Sequence, residues 1–266
     1  CAHRQERFTD MAGAAPGPND PHDVVVVGAG GGGAASLSLS GNVLLAQMNT
    51  QALVDGATLR ATGGNVTVQA DSVLAAEHLA GGLSASGAVS VGATAVVTLD
   101  EQQTRAATLG NSVIDAAGQT SVEAHSEQDV DVKAATGSVS GGAGIAGTVA
   151  VTVLKGQTDA AIGGGTRVNQ NTVSSATAQS VSVKATDTTT VDNALGALGV
   201  GITTGGIGAT ADVILANSST SATIASGAKV RAGGDVKVEA DAQRDLNSIT
   251  VAFSGGATFG ISGAVS

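Results

Sequence analysis

The strongest constraint in this sequence is an internal repeat. Residues 50–70 and 220–240 agree at equal offsets, pairing Thr50 with Thr220, Ala52 with Ala222, Val54 with Ile224, Gly64 with Gly234, Val66 with Val236, Val68 with Val238 and Ala70 with Ala240. A third copy, 104–124, puts Ala106, Gly118, Val122 and Ala124 on the same offsets. A fourth, 158–185, matches at Ala160, Ile162, Val181, Val183 and Ala185. Thr50, Thr104 and Thr158 are spaced by 54 residues and Thr220 follows after 62, so one copy is expanded. The added residues fall near 169–178, NQNTVSSATA, a polar stretch that reads as a surface loop. The connectors end in matching apolar segments beginning at Val43, Val97, Val151 and Val213. Fixed-period self-similarity marks an array in which each unit covers the apolar face of the next.

The local signals within a unit are those of strands. Val66-Thr67-Val68, Val181-Ser182-Val183 and Val236-Lys237-Val238 alternate with a period of two, so Lys237 and Glu239 face away from Val236 and Val238. Gly63-Gly64 and Gly233-Gly234 supply tight turns before two of these strands. The Ala-rich stretch 81–97 carries too many glycines and β-branched residues for a helix. In the connectors 87–97 and 147–153, small residues at both parities predict strands with both faces close to another layer. The expected fold is an all-β parallel β-solenoid, or β-helix, built from these repeats. Strand lengths of about 5–6 residues favour three coils of about 18 residues per repeat over two of about 27. A stacked antiparallel β-sheet of hairpins is the structural alternative. Residues 1–23, with Pro16, Pro18 and Pro21, read as an irregular lead-in. Residues 24–266 read as the repetitive solenoid, with registers starting near Thr50, Thr104, Thr158 and Thr220 and a last copy cut short.

Composition narrows the function classes. Hydrophobic residues make up 42% of the chain but aromatic ones only 1%, so a core must be filled by Val, Ile, Leu and Ala, with 39 glycines admitting close backbone approach. The net charge is −10, against nucleic acid, whose phosphates need clustered Lys and Arg. The missing aromatic surfaces argue against single strands and sugars alike. The acidic surface keeps a long protein soluble and could gather divalent cations loosely. The single cysteine, Cys1, permits no intramolecular disulfide and is either simply the first residue here, an added one, or a lipidated N-terminus. No signal peptide and no transmembrane segment are evident; the apolar run 24–27 is too short to span a bilayer.

Candidate chemistry is sparse. Residues 28–33 satisfy G-x-G-x-x-G after an apolar strand, the pattern with which a dinucleotide-binding unit admits a pyrophosphate. The residues that follow alternate like strand and join the repeat register at Val43 and Leu45, so the match reads as coincidence. His3, His22, His78 and His125 lack metal-ligand spacing and read as exposed coil residues. Asp129 with Asp131, or Asp187 with Asp192, could contribute to a calcium site, yet none matches a known calcium loop and solvated carboxylates are the expectation. Arg60 and Arg231 occupy nearly corresponding repeat positions, which suits scaffold rather than catalysis. Thr188–190 form a run rather than an alternating ladder of the kind that binds ice, and Asn65 and Asn217 head glycosylation sequons only in a eukaryotic secretory context. No catalytic, cofactor or metal residue is assigned.

The pattern Thr220-Ser221-Ala222-Thr223-Ile224, then Val230-Arg231-Ala232-Gly233-Gly234-Asp235-Val236-Lys237-Val238-Glu239-Ala240, together with the Gly- and Val-rich connector 141–153, resembles repeats of giant filamentous adhesins of Gram-negative bacteria, the filamentous-haemagglutinin-like and leukotoxin-type proteins. The resemblance covers roughly residues 24–266, and its motifs are of low complexity. It implies a non-enzymatic structural or adhesive segment of a long secreted or cell-surface fibre, serving adhesion, biofilm or filament formation. Self-association and host or neighbouring cell surfaces would be its partners. A membrane-active, leukotoxin-like secreted protein is the alternative it carries. A dinucleotide-dependent oxidoreductase is the one enzymatic reading left.

Overall fold

A computed structural model describes residues 22–171, apart from Gly32, and 179–266. Among them every regular element is a strand, and the strands form three sheets in which every pairing is parallel. Sheet I contains β1 (His22–Gly31), β4 (Val66–Ser86), β7 (Thr120–Ser140), β10 (Val181–Gly201) and β13 (Val236–Gly256), in that spatial order. Sheet II contains β2 (Ala35–Asp55), β5 (Val89–Leu109), β8 (Ala143–Ile162), β11 (Gly205–Ile224) and β14 (Phe259–Val265). Sheet III is a narrow strip of β3 (Thr58–Ala61), β6 (Val113–Ala116), β9 (Arg167–Val168) and β12 (Lys229–Val230). The chain runs along sheet I, turns, returns along sheet II, crosses sheet III and enters the next coil, as a parallel β-solenoid requires.

The register fixes the size of a coil. Val66 pairs with Thr120, Thr120 with Val181 and Val181 with Val236; in sheet II, Thr50 pairs with Thr104, Thr104 with Thr158 and Thr158 with Thr220. One coil is therefore one whole repeat, not a third of it. The expectation of three short coils fails because the period-two alternation runs on through strands of 20–21 residues. The chain reverses only where turn residues accumulate, at Gly87 or Gly141-Gly142 at one end and Gly110-Asn111 at the other, where both of the latter have positive φ. A 21-residue strand spans about 69 Å, whereas five coils rise only about 24 Å along the axis. The described body is a slab, wider than it is long.

The slab tapers. Next to sheet III the two long sheets diverge, and Val122, Val183, Ile162, Val168, Ala106 and Ala160 fill the space. Midway, Val96, Val130, Val132, Leu154, Val191 and Leu195 form a second apolar cluster. At the far end the sheets meet backbone to backbone. A Cβ built on Gly144 would lie 2.2 Å from the Val200 carbonyl oxygen, and one on Gly208 would lie 2.2 Å from that of Phe253. The repeat markers are thus inward columns: the Thr50, Ala52 and Val54 positions of sheet II and the Val66, Val68 and Ala70 positions of sheet I. The connector valines do not lie between two layers as expected. The narrow end has only one covered face, and Val43, Val149 and Val213 point outward and are exposed.

The expanded copy is absorbed where sheet III crosses. Asn169, expected in a surface loop, is buried with φ 55°. Its side chain accepts from the Ala116 backbone N–H at 2.9 Å and donates to the Arg231 carbonyl at 3.2 Å. Residues 1–21 and 172–178, including most of the irregular lead-in and of the polar insertion, lie outside the described residues.

Candidate functional site: a polar seam inside the solenoid

The inward face contains a feature absent from ordinary aliphatic cores. At mid-height, successive coils place polar side chains opposite one another. Gln102 Nε2 donates to Ser72 Oγ at 2.7 Å, and Ser126 Oγ donates to Gln102 Oε1. One step along, Gln128 Nε2 donates to Asp100 Oδ2, and Thr189 Oγ1 donates to Gln128 Oε1 at 3.4 Å. Beyond, Asn193 Nδ2 reaches both Asp212 oxygens at 2.9 and 3.0 Å, and Ser248 Oγ donates to Asp212 Oδ2 at 2.6 Å. Each layer ties sheet I to sheet II across the slab, so it fixes which residues of the two sheets face each other.

Two titratable groups feel this environment. Burial pushes the Asp100 carboxyl up to about 6, against the smaller opposing effect of the Gln128 hydrogen bond. Burial lowers His78, whose Nε2 lies 3.1 Å from Thr98 Oγ1 and whose Nδ1 has no hydrogen-bond partner. His78 is fully buried on the inward face of β4, which corrects its reading as an exposed coil residue. Asp187 is also buried, with both carboxylate oxygens lacking hydrogen-bond partners.

The other residues singled out in the sequence are dispersed. Gly28 to Gly31 end β1 and the chain then enters β2, a strand where a dinucleotide-binding unit needs a helix. Asp187 faces inward while Asp192, on the same strand, faces out, so the two do not share a site. Asp129 and Asp131 lie on the outer face of β7, where Asp131 pairs with Lys133. Burial and then the charges of Glu127, Asp192 and Asp131 raise Asp129. His125, expected in exposed coil, lies half-buried on the outer face of β7, 4.0 Å from Glu127. Arg60 pairs in register with Asp115, and Arg231 follows the same column through Asn169. Among the described residues no group of three or more His, Cys, Asp or Glu side chains could hold a metal ion. The surface depressions are shallow troughs on the outer faces, one over Leu45, Leu99, Glu101, Val153 and Lys155, another over Leu79, Ala135, Ala194, Ile249 and Phe253.

Sequence reasoning missed the seam. Its signal was present as polar residues at the inward parity, Ser72, Gln102, Ser126 and Gln128, but that parity was legible only once the facing register was known. No known protein family matches this chain, and no curated protein or solved structure matches it.

Proposed function

We propose that this chain is a structural, adhesive segment of a long secreted or cell-surface bacterial fibre, with no catalytic role. The supporting observation is the unchanging register: each repeat adds one strand to each long sheet, mostly at a fixed 54-residue offset, so the cross-section can be extended by repetition alone. The seam supports the same reading, since groups that hold register inside a slab are spent on rigidity. Adhesion would then use the broad outer faces, and self-association would use the unpaired strand edges of the end coils.

Electron microscopy and fibre diffraction of the purified chain test this. The reading expects ribbons about 70 Å wide with a meridional spacing of about 4.8 Å. It also expects retention of the chain on bacterial or host cell surfaces. Discrete particles that neither assemble nor bind cells would overturn it.

A further inference from the structure

The narrow half of the slab is built inside out. Its inward face is a hydroxyl zipper: Ser40 and Thr94 are 2.8 Å apart, Thr136 donates to Thr94 at 2.7 Å, Thr148 donates to Thr136 at 2.9 Å, and Ser90 and Ser138 are 2.6 Å apart. Its outward faces are aliphatic on both sides. Sheet II exposes Leu37, Leu39, Val43 and Leu45, with Val89, Ile145, Val149, Val213 and Ile261 continuing the same band on later coils. Sheet I exposes Leu79, Leu83, Val139, Leu198, Ile249 and Phe253.

The band ends at one level on both faces. On sheet II, Leu99 gives way to Glu101 and Val153 to Lys155; on sheet I, Leu79 gives way to Glu77 and Ala194 to Asp192, while Lys133, level with Leu79 and Ala194, reaches back to Glu77 and Asp131. Deeper than Lys133 the outward side chains include no Asp, Glu, Lys or Arg, with none from 79 to 99, from 134 to 154, from 193 to 211, from 213 to 215 or from 246 to 266. Asp212, in register with Ala150, is the one carboxylate at this depth and faces inward to Asn193 and Ser248. The turns at the apex are equally uncharged.

We propose that this half is a lipid-facing wedge that enters a bilayer, apex first. Three observations favour acyl chains over a second protein copy. A protein partner covers one face, whereas here both faces are apolar and the edge between them is uncharged. The depth matches: about 10 residues per arm reach about 33 Å, close to the roughly 30 Å hydrocarbon core. The polar side chains of this half face inward, away from lipid, and Ser40, Thr94, Thr136, Thr148, Ser90 and Ser138 pair with one another there, while the Ser38, Ser84 and Thr210 hydroxyls are buried without a partner. In water, a sheet II face of about 800 Å² exceeds the apolar patch that soluble monomers commonly expose. The end coils retain unpaired edges, so in hydrocarbon they would be covered by a further coil or by another copy stacked end to end. The rim above the band is net acidic, with Glu77, Glu101, Asp131 and Asp192 against Lys155 and the salt-bridged Lys133, and the whole chain carries −10. The bilayer it fits is therefore zwitterionic rather than anionic. The proposal goes beyond the fibre reading and does not depend on it.

Flotation of the full chain with phosphatidylcholine vesicles tests it, using Val149→Glu and Leu83→Glu within the band and Val73→Glu above it. All three replace exposed side chains, 45%, 59% and 41% accessible, so folding, checked by circular dichroism, is retained. The wild-type chain is expected to float. The two band variants should lose at least about tenfold in partitioning, Val73→Glu less than about twofold, and added phosphatidylglycerol should weaken binding. Failure of the wild-type chain to float, or equal losses in all three variants, would overturn the proposal. So would a wild-type dimer in lipid-free solution that Val149→Glu dissociates while no vesicle binding is seen.

Discussion

Replacing Asp100 with Asn should make the protein more stable at neutral pH and leave it nearly unchanged in acid. The carboxyl sits in the seam at 3% accessibility, and its pKa rises from an ordinary 3.8 to about 6. A raised folded-state pKa means that the native protein binds the proton more tightly than the unfolded chain. This contribution is fully present below about pH 3.8 and is lost as pH rises through about 6. A shift of roughly two units, at 1.36 kcal/mol each, amounts to about 3 kcal/mol. Asn keeps the shape and can still accept from Gln128 Nε2, but has no charge to bury. Urea denaturation of both proteins from pH 4 to pH 8, followed by circular dichroism, gives the difference. It should be within about 0.5 kcal/mol at pH 4 and grow to about 2–3 kcal/mol in favour of Asn by pH 7. His78 titrates with the opposite sign, since a buried neutral imidazole loses stability as pH falls, but it is common to both proteins and cancels. A difference that stays flat across this range would refute the argument that Asp100 is desolvated inside the slab.

Two further substitutions probe the taper. On β8, Gly144→Ala should destabilise by about 1–3 kcal/mol because its Cβ meets the Val200 carbonyl, while Gly147→Ala, where the nearest atom is 4.0 Å away, should change stability by less than about 0.5 kcal/mol; chemical denaturation separates them. At the wide end, Ile162→Ala should cost about 2–5 kcal/mol by the same assay, since Ile162 is fully buried among the residues beside sheet III.

Much of the fold was legible in the sequence. The Thr50, Ala52, Val66 and Val68 positions recur because each stacks on its own copy in the next coil, and stacking like on like keeps those residue types. The coil length was not legible. A period-two pattern says which residues share a face but not how far a strand runs, and 21-residue strands exceed the usual strand several-fold. The facing of the connectors was misread for a different reason. Alternating Val with Ser, Thr or Gly normally puts Val inside. At the narrow end the sheets approach too closely for Val, so the hydroxyls and glycines take the interior and the aliphatic side chains take the outside. His78 was misplaced because it was read as coil; within β4 the alternation that turns Glu77 and Leu79 outward turns His78 inward.

The central claim is that one 54-residue repeat makes one coil. Electron paramagnetic resonance on spin-label pairs tests it most directly, with Cys1 replaced by Ser and labels placed through cysteines at Gln69 and Glu123 or at Gln69 and Gly87. Gln69 and Glu123 are partners in the parallel register, one strand apart at about 4.8 Å, whereas Gly87 lies about 60 Å away at the far end of the same strand. The account expects strong dipolar broadening for the first pair and none for the second. Broadening for Gln69 with Gly87, the signature of an 18-residue coil, would contradict it.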